Sequence, residues 1–290
     1  MTAAERFHPE RGELIDLGGR RLRLVRAGPR SERPTVLLEH GAFGCAADWA
    51  VVQERLAAKG LHSLAYDRAG LGFSDPGPKP RDGHALTADL DQLLARAGEP
   101  GPLVLVGHSM GGLMVRLFTL KHPERVLGVV LVDAVVPEAM DERGVPRIVG
   151  AYGRAMKLVA RGARAGLMRP VARVTGNLIG LTGEAAVEKR RIYASAPHAH
   201  WAAEEVSEWP AISSQAGAAA FPPDLPIAVV TAGAEKGLAR LKALQAAPAK
   251  ASRHGYVDHV AGSNHASLLG VRFADPIVAG IEHVLAAVGR

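Results

Sequence analysis

Six short runs, TVLLEHG, LHSLAYD, LVLVGHS, RVLGVVLVD, IAVVTAG and HGYVDHV, recur along the chain, and they are rich in Val, Leu and Ile with little polar alternation. Runs of that kind are strands buried on both faces, because a strand with one wet face alternates apolar and polar residues. Between them lie the helix-like stretches DWAVVQERLAAKG, HALTADLDQLLARAGE, MGGLMVRLFTLKH and LARLKALQAA. Strand and helix in alternation predict right-handed βαβ units and an α/β fold with a mostly parallel sheet. Ahead of this block, GELIDLG and RRLRLVRAG meet at Gly18-Gly19 and read as an antiparallel hairpin.

The alternation stops between about Pro137 and Pro223. There the chain keeps a helical period, carries many arginines and offers no strand. The expectation is a core domain from 1–136 and 224–290, with 137–223 inserted as a helical cap over the sheet's C-terminal edge. Ligands of such sheets bind at that edge. Within 290 residues this suits one large domain with an insertion.

Composition narrows the partners. The formal charge is +6, and residues 137–191 hold 11 Lys or Arg against 5 Asp or Glu, a surplus as large as the whole. No zinc-finger spacing, helix-turn-helix or aromatic-basic RNA motif accompanies it, so a solvated helical face is expected and nucleic acid is not. The stretch AMKLVARGARAGLMRPVARVTGNLIG (155–180) mixes apolar residues and arginines as interfacial helices do. Its glycines and Pro170 interrupt it, so a pocket-covering helix pair is preferred to membrane contact. Cys45 is the single cysteine, and no internal disulfide can form. MTAAERFHPERGEL lacks the apolar core of a signal peptide, and the expected location is cytoplasmic.

The chemistry concentrates in Gly107-His108-Ser109-Met110-Gly111, with Gly112 following. A strand precedes this G-x-S-x-G and a helix follows it. A turn that sharp strains the serine backbone, brings chains close enough to require glycine, and lifts the hydroxyl to the helix N-terminus. A serine needs a base within hydrogen-bond reach, and HVAGSNHASLLG places His265 in the loop after the last strand. An oxyanion needs two converging backbone N–H groups. Met110, after the serine, is one candidate; Ala42, in the His40-Gly41-Ala42-Phe43-Gly44 loop, is the other. His108 is too near Ser109 in sequence to act as its base, and His40 is expected to order its own loop. AYDRAGLGFSD (65–75) is expected to be structural.

HGAFG, DRAGLGFSDPG, GHSMGG, VLVDA and SNHASLL, in this order, resemble the α/β-hydrolase superfamily, and more narrowly its capped, soluble bacterial members. The resemblance covers roughly residues 12–136 and 224–288. It implies an eight-stranded sheet, a Ser–His–acid triad and no cofactor or metal. In much of the family the acid is an aspartate three residues after the glycine ending the seventh strand, but here that position is Lys236. Glu235 is adjacent. Asp133, at the end of the sixth strand where some members place the acid, is favoured over Glu235. The expected activity is hydrolysis of an apolar carboxylic ester or related acyl compound, a small-molecule substrate. Carbon–carbon bond hydrolysis, perhydrolysis and a non-catalytic binder are the alternatives. Dehalogenases and epoxide hydrolases need aspartate where this chain has Ser109.

Overall fold

The computed structural model describes residues 11–233 and 239–289. Its eight strands are β1 Glu13–Asp16, β2 Arg21–Ala27, β3 Thr35–Glu39, β4 Ser63–Tyr66, β5 Leu103–His108, β6 Val126–Val132, β7 Ile227–Ala232 and β8 Gly255–Val260. They form one sheet in the order β1-β2-β4-β3-β5-β6-β7-β8. Only β2 runs against its neighbours, pairing antiparallel with both β1 and β4. From β4 to β8 every pairing is parallel.

Helices α1 Ala50–Ala58, α2 Gly83–Arg96, α3 Gly111–Lys121 and α9 Ala239–Ala251 make the crossovers, and α10 Asp275–Ala287 follows the last strand. Adjacent residues on each strand serve opposite cores. Val104, Val106, Val130 and Val230 pack with Val52, Leu56, Ile281 and Val284 of α1 and α10. Leu105, Leu131 and Val229 pack on the other side with Leu90, Leu94, Val115 and Phe118 of α2 and α3. Both faces are dry, which explains the missing polar alternation. Strand β8 departs from this pattern. It is an edge strand with β7 as its neighbour, and its residues are partly or fully exposed, as HGYVDHV with its histidines and aspartate allows.

Between β6 and β7 the chain leaves the sheet for α4 Val145–Arg164, α5 Met168–Thr175, α6 Gly183–Tyr193, α7 Ala196–Ser207 and α8 Trp209–Ala216. Three ion pairs between buried side chains tie α6 and α7 to the sheet's loops and strands. Arg23 of β2 grips Glu188 of α6 through two 2.7 Å bonds. Lys189 Nζ of α6 lies 2.6 Å from Asp48 Oδ1. Arg68, after β4, donates to Glu205 of α7 through Nε at 2.9 Å and through Nη2.

Register decides what meets at the sheet's edge. Glu39 of β3 stands opposite Gly107 of β5, Gly107 opposite Leu131 of β6, and Leu131 opposite Val229 of β7. The residues that follow, 40–44, 109–111 and 133, therefore leave the sheet at one level.

Candidate active site

Ser109 sits between β5 and α3 with φ 54°, in the left-handed region that a serine rarely adopts. Three backbone bonds hold it there. Its N–H donates to the Val132 carbonyl at 3.1 Å, and its own carbonyl accepts from Gly112 at 3.0 Å and Val135 at 2.9 Å. Strain at one residue persists only where the surroundings over-determine it in this way. The flanking glycines are needed for space: a Cβ on Gly107 would lie 2.7 Å from the Gly111 carbonyl oxygen, and one on Gly111 2.6 Å from that of Glu39.

His265 follows β8, and its Nδ1 lies 2.7 Å from Asp133 Oδ2 at the end of β6. Asp133 is itself left-handed, at φ 40°, with its N–H fixed to the Val230 carbonyl at 2.7 Å. Its other oxygen accepts from Lys242 Nζ at 2.7 Å and Gln245 Nε2 at 3.3 Å, both on α9. Burial by itself would raise this carboxyl, but the hydrogen bonds from His265 and Lys242 outweigh it and hold the group well below the ordinary carboxylate range. An ionised Asp133 accepts a hydrogen bond from Nδ1–H, which leaves Nε2 as the ring's free basic nitrogen. Of the two acid candidates, Asp133 thus reaches His265; Glu235 lies outside the described residues.

Ser109 and His265 line one cavity of about 440 Å³. They are not hydrogen-bonded to each other here, and such contacts often tighten only with substrate bound. His108, whose ring lies 4.5 Å from that of His265, donates Nε2–H to the His265 carbonyl at 3.0 Å. Burial, reinforced by His265, lowers His108 to about 3, so it stays neutral and acts as a strut for the His265 loop.

The two amides expected to face an oxyanion are oriented by what their neighbouring carbonyls do. The Gly41 carbonyl accepts from His40 Nδ1 at 2.8 Å, Arg68 Nη2 at 3.0 Å and the Gly44 N–H at 3.1 Å. In a trans peptide the N–H points opposite the C=O, so Ala42 N–H is turned away from those donors. The Ser109 carbonyl, held by Gly112 and Val135, turns Met110 N–H in the same fashion. Among the described residues neither amide donates to a protein acceptor. The loop lies against the serine, since a Cβ on Gly41 would be 2.9 Å from Ser109 Cβ. His40 is fully buried in its own loop, as expected. The DRAG turn is structural but not passive, because Arg68 also binds Glu39 and the His40 carbonyl and so sets the path of residues 40–44.

Ala42, Ile148, Val149, Tyr152, Leu178, Ile179 and Trp209 give the cavity apolar walls. Asp48 and Lys189 add one polar wall, and burial does not neutralise Lys189, because Asp48 raises it above the usual lysine value. Of the three tryptophans only Trp209 lines the cavity; Trp49 is buried with its ring edge-on to His108, and Trp201 packs against Gly70. Lys242, Gln245, Lys189 and the supporting role of His108 were not anticipated. The spacing of 242 and 245 shows that they share a helix face, but not which strand end that face meets.

A family model described as alpha/beta hydrolase fold matches residues 34–162. Among curated proteins, the probable transporter efuK of Hormonema carpetanum is 35% identical over 135 residues, covering 44% of this chain and 19% of that protein. The chain spans only 19% to 36% of the length of three curated relatives it matches. A thermophilic esterase from Thermogutta terrifontis superposes with a TM-score of 0.65 at 19% identity, covering 95% of this chain and 99% of that one. The enol-lactonase from Burkholderia xenovorans LB400 gives 0.65 at 20% identity, covering 94% and 100%. At such identities the likeness is one of fold.

Proposed function

This chain belongs to the α/β-hydrolase superfamily, and from that premise we propose that it is a serine hydrolase cleaving a carboxylic ester or related acyl bond through an acyl-enzyme on Ser109. Ser109 Oγ attacks the carbonyl carbon while His265 Nε2 takes its proton. Asp133 holds the ring in the required tautomer and stabilises the imidazolium that forms. The carbonyl oxygen, now negative, is received by the N–H groups of Ala42 and Met110. His265 returns the proton to the departing alcohol, and a water activated by the same imidazole releases the acid. No step needs a cofactor.

One observation carries this reading: a strained serine shares its cavity with a histidine already hydrogen-bonded to an ionised aspartate. The apolar walls suit an apolar acyl or alcohol group, and residues 137–223 act as the cap that supplies most of them. An esterase and an enol-lactonase share this fold, which is consistent with acyl chemistry. The test is labelling by a fluorophosphonate probe, with p-nitrophenyl esters of rising chain length to define the acyl group. Labelling is expected in the native enzyme and absent in Ser109→Ala. Equal labelling of both, or none of either, would overturn the assignment.

A further inference from the structure

We propose that α4 and α5 dock the protein on an anionic membrane surface, with the cavity mouth facing the lipid. Residues 145–175 contain seven Lys or Arg and no Asp or Glu. Of the ten large apolar side chains exposed among the described residues, seven lie between Ile148 and Leu178. Leu158, Leu167 and Val174 are 62%, 63% and 83% exposed. The pocket-covering helix pair expected from sequence accounts for Ile148, Tyr152 and Leu178, which line the cavity, but not for these three.

The arrangement along α4 sharpens the point. At about 100° per residue, its buried residues Val149, Gly153, Ala160 and Ala163 fall in one sector. The basic residues Arg147, Arg154, Lys157, Arg161 and Arg164 fall in a second. Ile148, Tyr152 and Leu158 occupy a third, apolar and exposed. Ile148 and Tyr152 on this third face line the cavity, but Leu158 does not. With Leu167 and Val174 beyond it, these bare aliphatic side chains beside a row of cations make the pattern of a segment lying in a lipid interface, aliphatic groups among acyl chains and guanidinium groups at phosphates. Among the described residues no helix is long and apolar enough to cross a membrane, so the contact would lie on the surface. Gly162, Gly166 and Pro170 do not oppose this: Gly162 lies within α4, Pro170 in the first turn of α5 and Gly166 between them, and each helix keeps exposed apolar residues. The charge pattern selects the occupant: seven cations without a carboxylate match an anionic bilayer, whereas a second copy would bring the same positive surface against itself. The three ion pairs anchor α6 and α7 to the sheet's loops and strands, while Arg154, Lys157, Leu158 and Arg161 of α4 stay exposed.

The inference does not depend on the role of Ser109, and its test does not read activity. The full chain is floated with vesicles of phosphatidylcholine alone or of phosphatidylcholine with phosphatidylglycerol. The expected result is a bound fraction at least about tenfold greater on the anionic vesicles, falling with added salt. The Leu158→Asp/Leu167→Asp/Val174→Asp variant, altered at exposed positions outside the cavity lining, should lose this binding and keep its melting temperature. Should that variant fold poorly, Arg154→Glu/Arg161→Glu gives the same readout by charge alone. The proposal is overturned by absence of flotation with anionic vesicles. It is equally overturned by unchanged binding in a folded variant, or by concentration-dependent dimers, lost in the variant, without vesicle binding.

Discussion

Replacing Asp133 by asparagine keeps the shape of the site and removes one charge. The bond it alters joins His265 Nδ1 and Asp133 Oδ2 at 2.7 Å, with the carboxylate only 8% exposed. With the imidazolium and carboxylate charges centred roughly 4 Å apart and an effective dielectric near 20, their attraction is about 4 kcal/mol. That alone is worth close to a thousandfold in rate. An amide can also present its NH₂ to Nδ1, which places the ring proton on Nε2 and removes the base. Lys242 adds to the loss. Its ammonium, 2.7 Å from the other carboxylate oxygen, would face a neutral amide and disfavour a second cation on His265. Together these reach the ~10⁴-fold fall in kcat typical of a lost triad acid, about 5.4 kcal/mol in barrier. The assay is turnover of a short-chain p-nitrophenyl ester, with melting temperature as the control for folding and Glu235→Gln as the comparison. A folded Asp133→Asn enzyme within tenfold of native kcat would refute the reasoning, and so would an equal loss in Glu235→Gln.

Two further predictions concern stability. His40, His108 and His198 are all lowered by burial, with Arg68, His265 and Lys189 as the respective next causes; His108 and His198 fall to about 3. Below about pH 6.5 the unfolded chain takes up protons that the folded one refuses until about pH 3, so stability should fall as pH drops through that window, by up to about 1.4 kcal/mol per unit for each histidine. Asp133, whose carboxyl is depressed, loses its contribution only at lower pH and does not offset this. Urea midpoints that stay level between about pH 7 and pH 5 would contradict the prediction. Glu188→Gln removes the charge that Arg23 grips at 2.7 Å, leaving that buried guanidinium, among the described residues, only Asp67 at 3.3 Å as a carboxylate partner. The expected cost is about 3 kcal/mol. Unfolding entropy for a chain this long is about 0.6 kcal/mol/K, so the melting temperature should drop about 5 °C; a shift under a degree would show the clamp to be idle.

What the sequence determined by itself is local. Apolar runs without polar alternation mark strands covered on both faces, Gly18-Gly19 marks a hairpin, and glycines around Ser109 mark a turn with no room for a Cβ; each signal lies within a few neighbouring residues. The loop positions of Ala42, Met110 and His265 followed from strand order. The partner of His265 did not, because Asp133 and Glu235 are equal as carboxylates in the chain, and only packing of β6 beside β7 and β5 carries Asp133 to 2.7 Å from a ring 132 residues later. Lys242 and Gln245 reach that carboxylate from a helix whose facing is set by the sheet beneath it. The Arg23–Glu188, Lys189–Asp48 and Arg68–Glu205 pairs close gaps of 165, 141 and 137 residues, far beyond any periodicity. Exposure along α4 and α5 belongs to the same class: arginine and leucine at helical spacing state that a helix is amphipathic, but which of its faces is left without a partner depends on where the rest of the chain has folded.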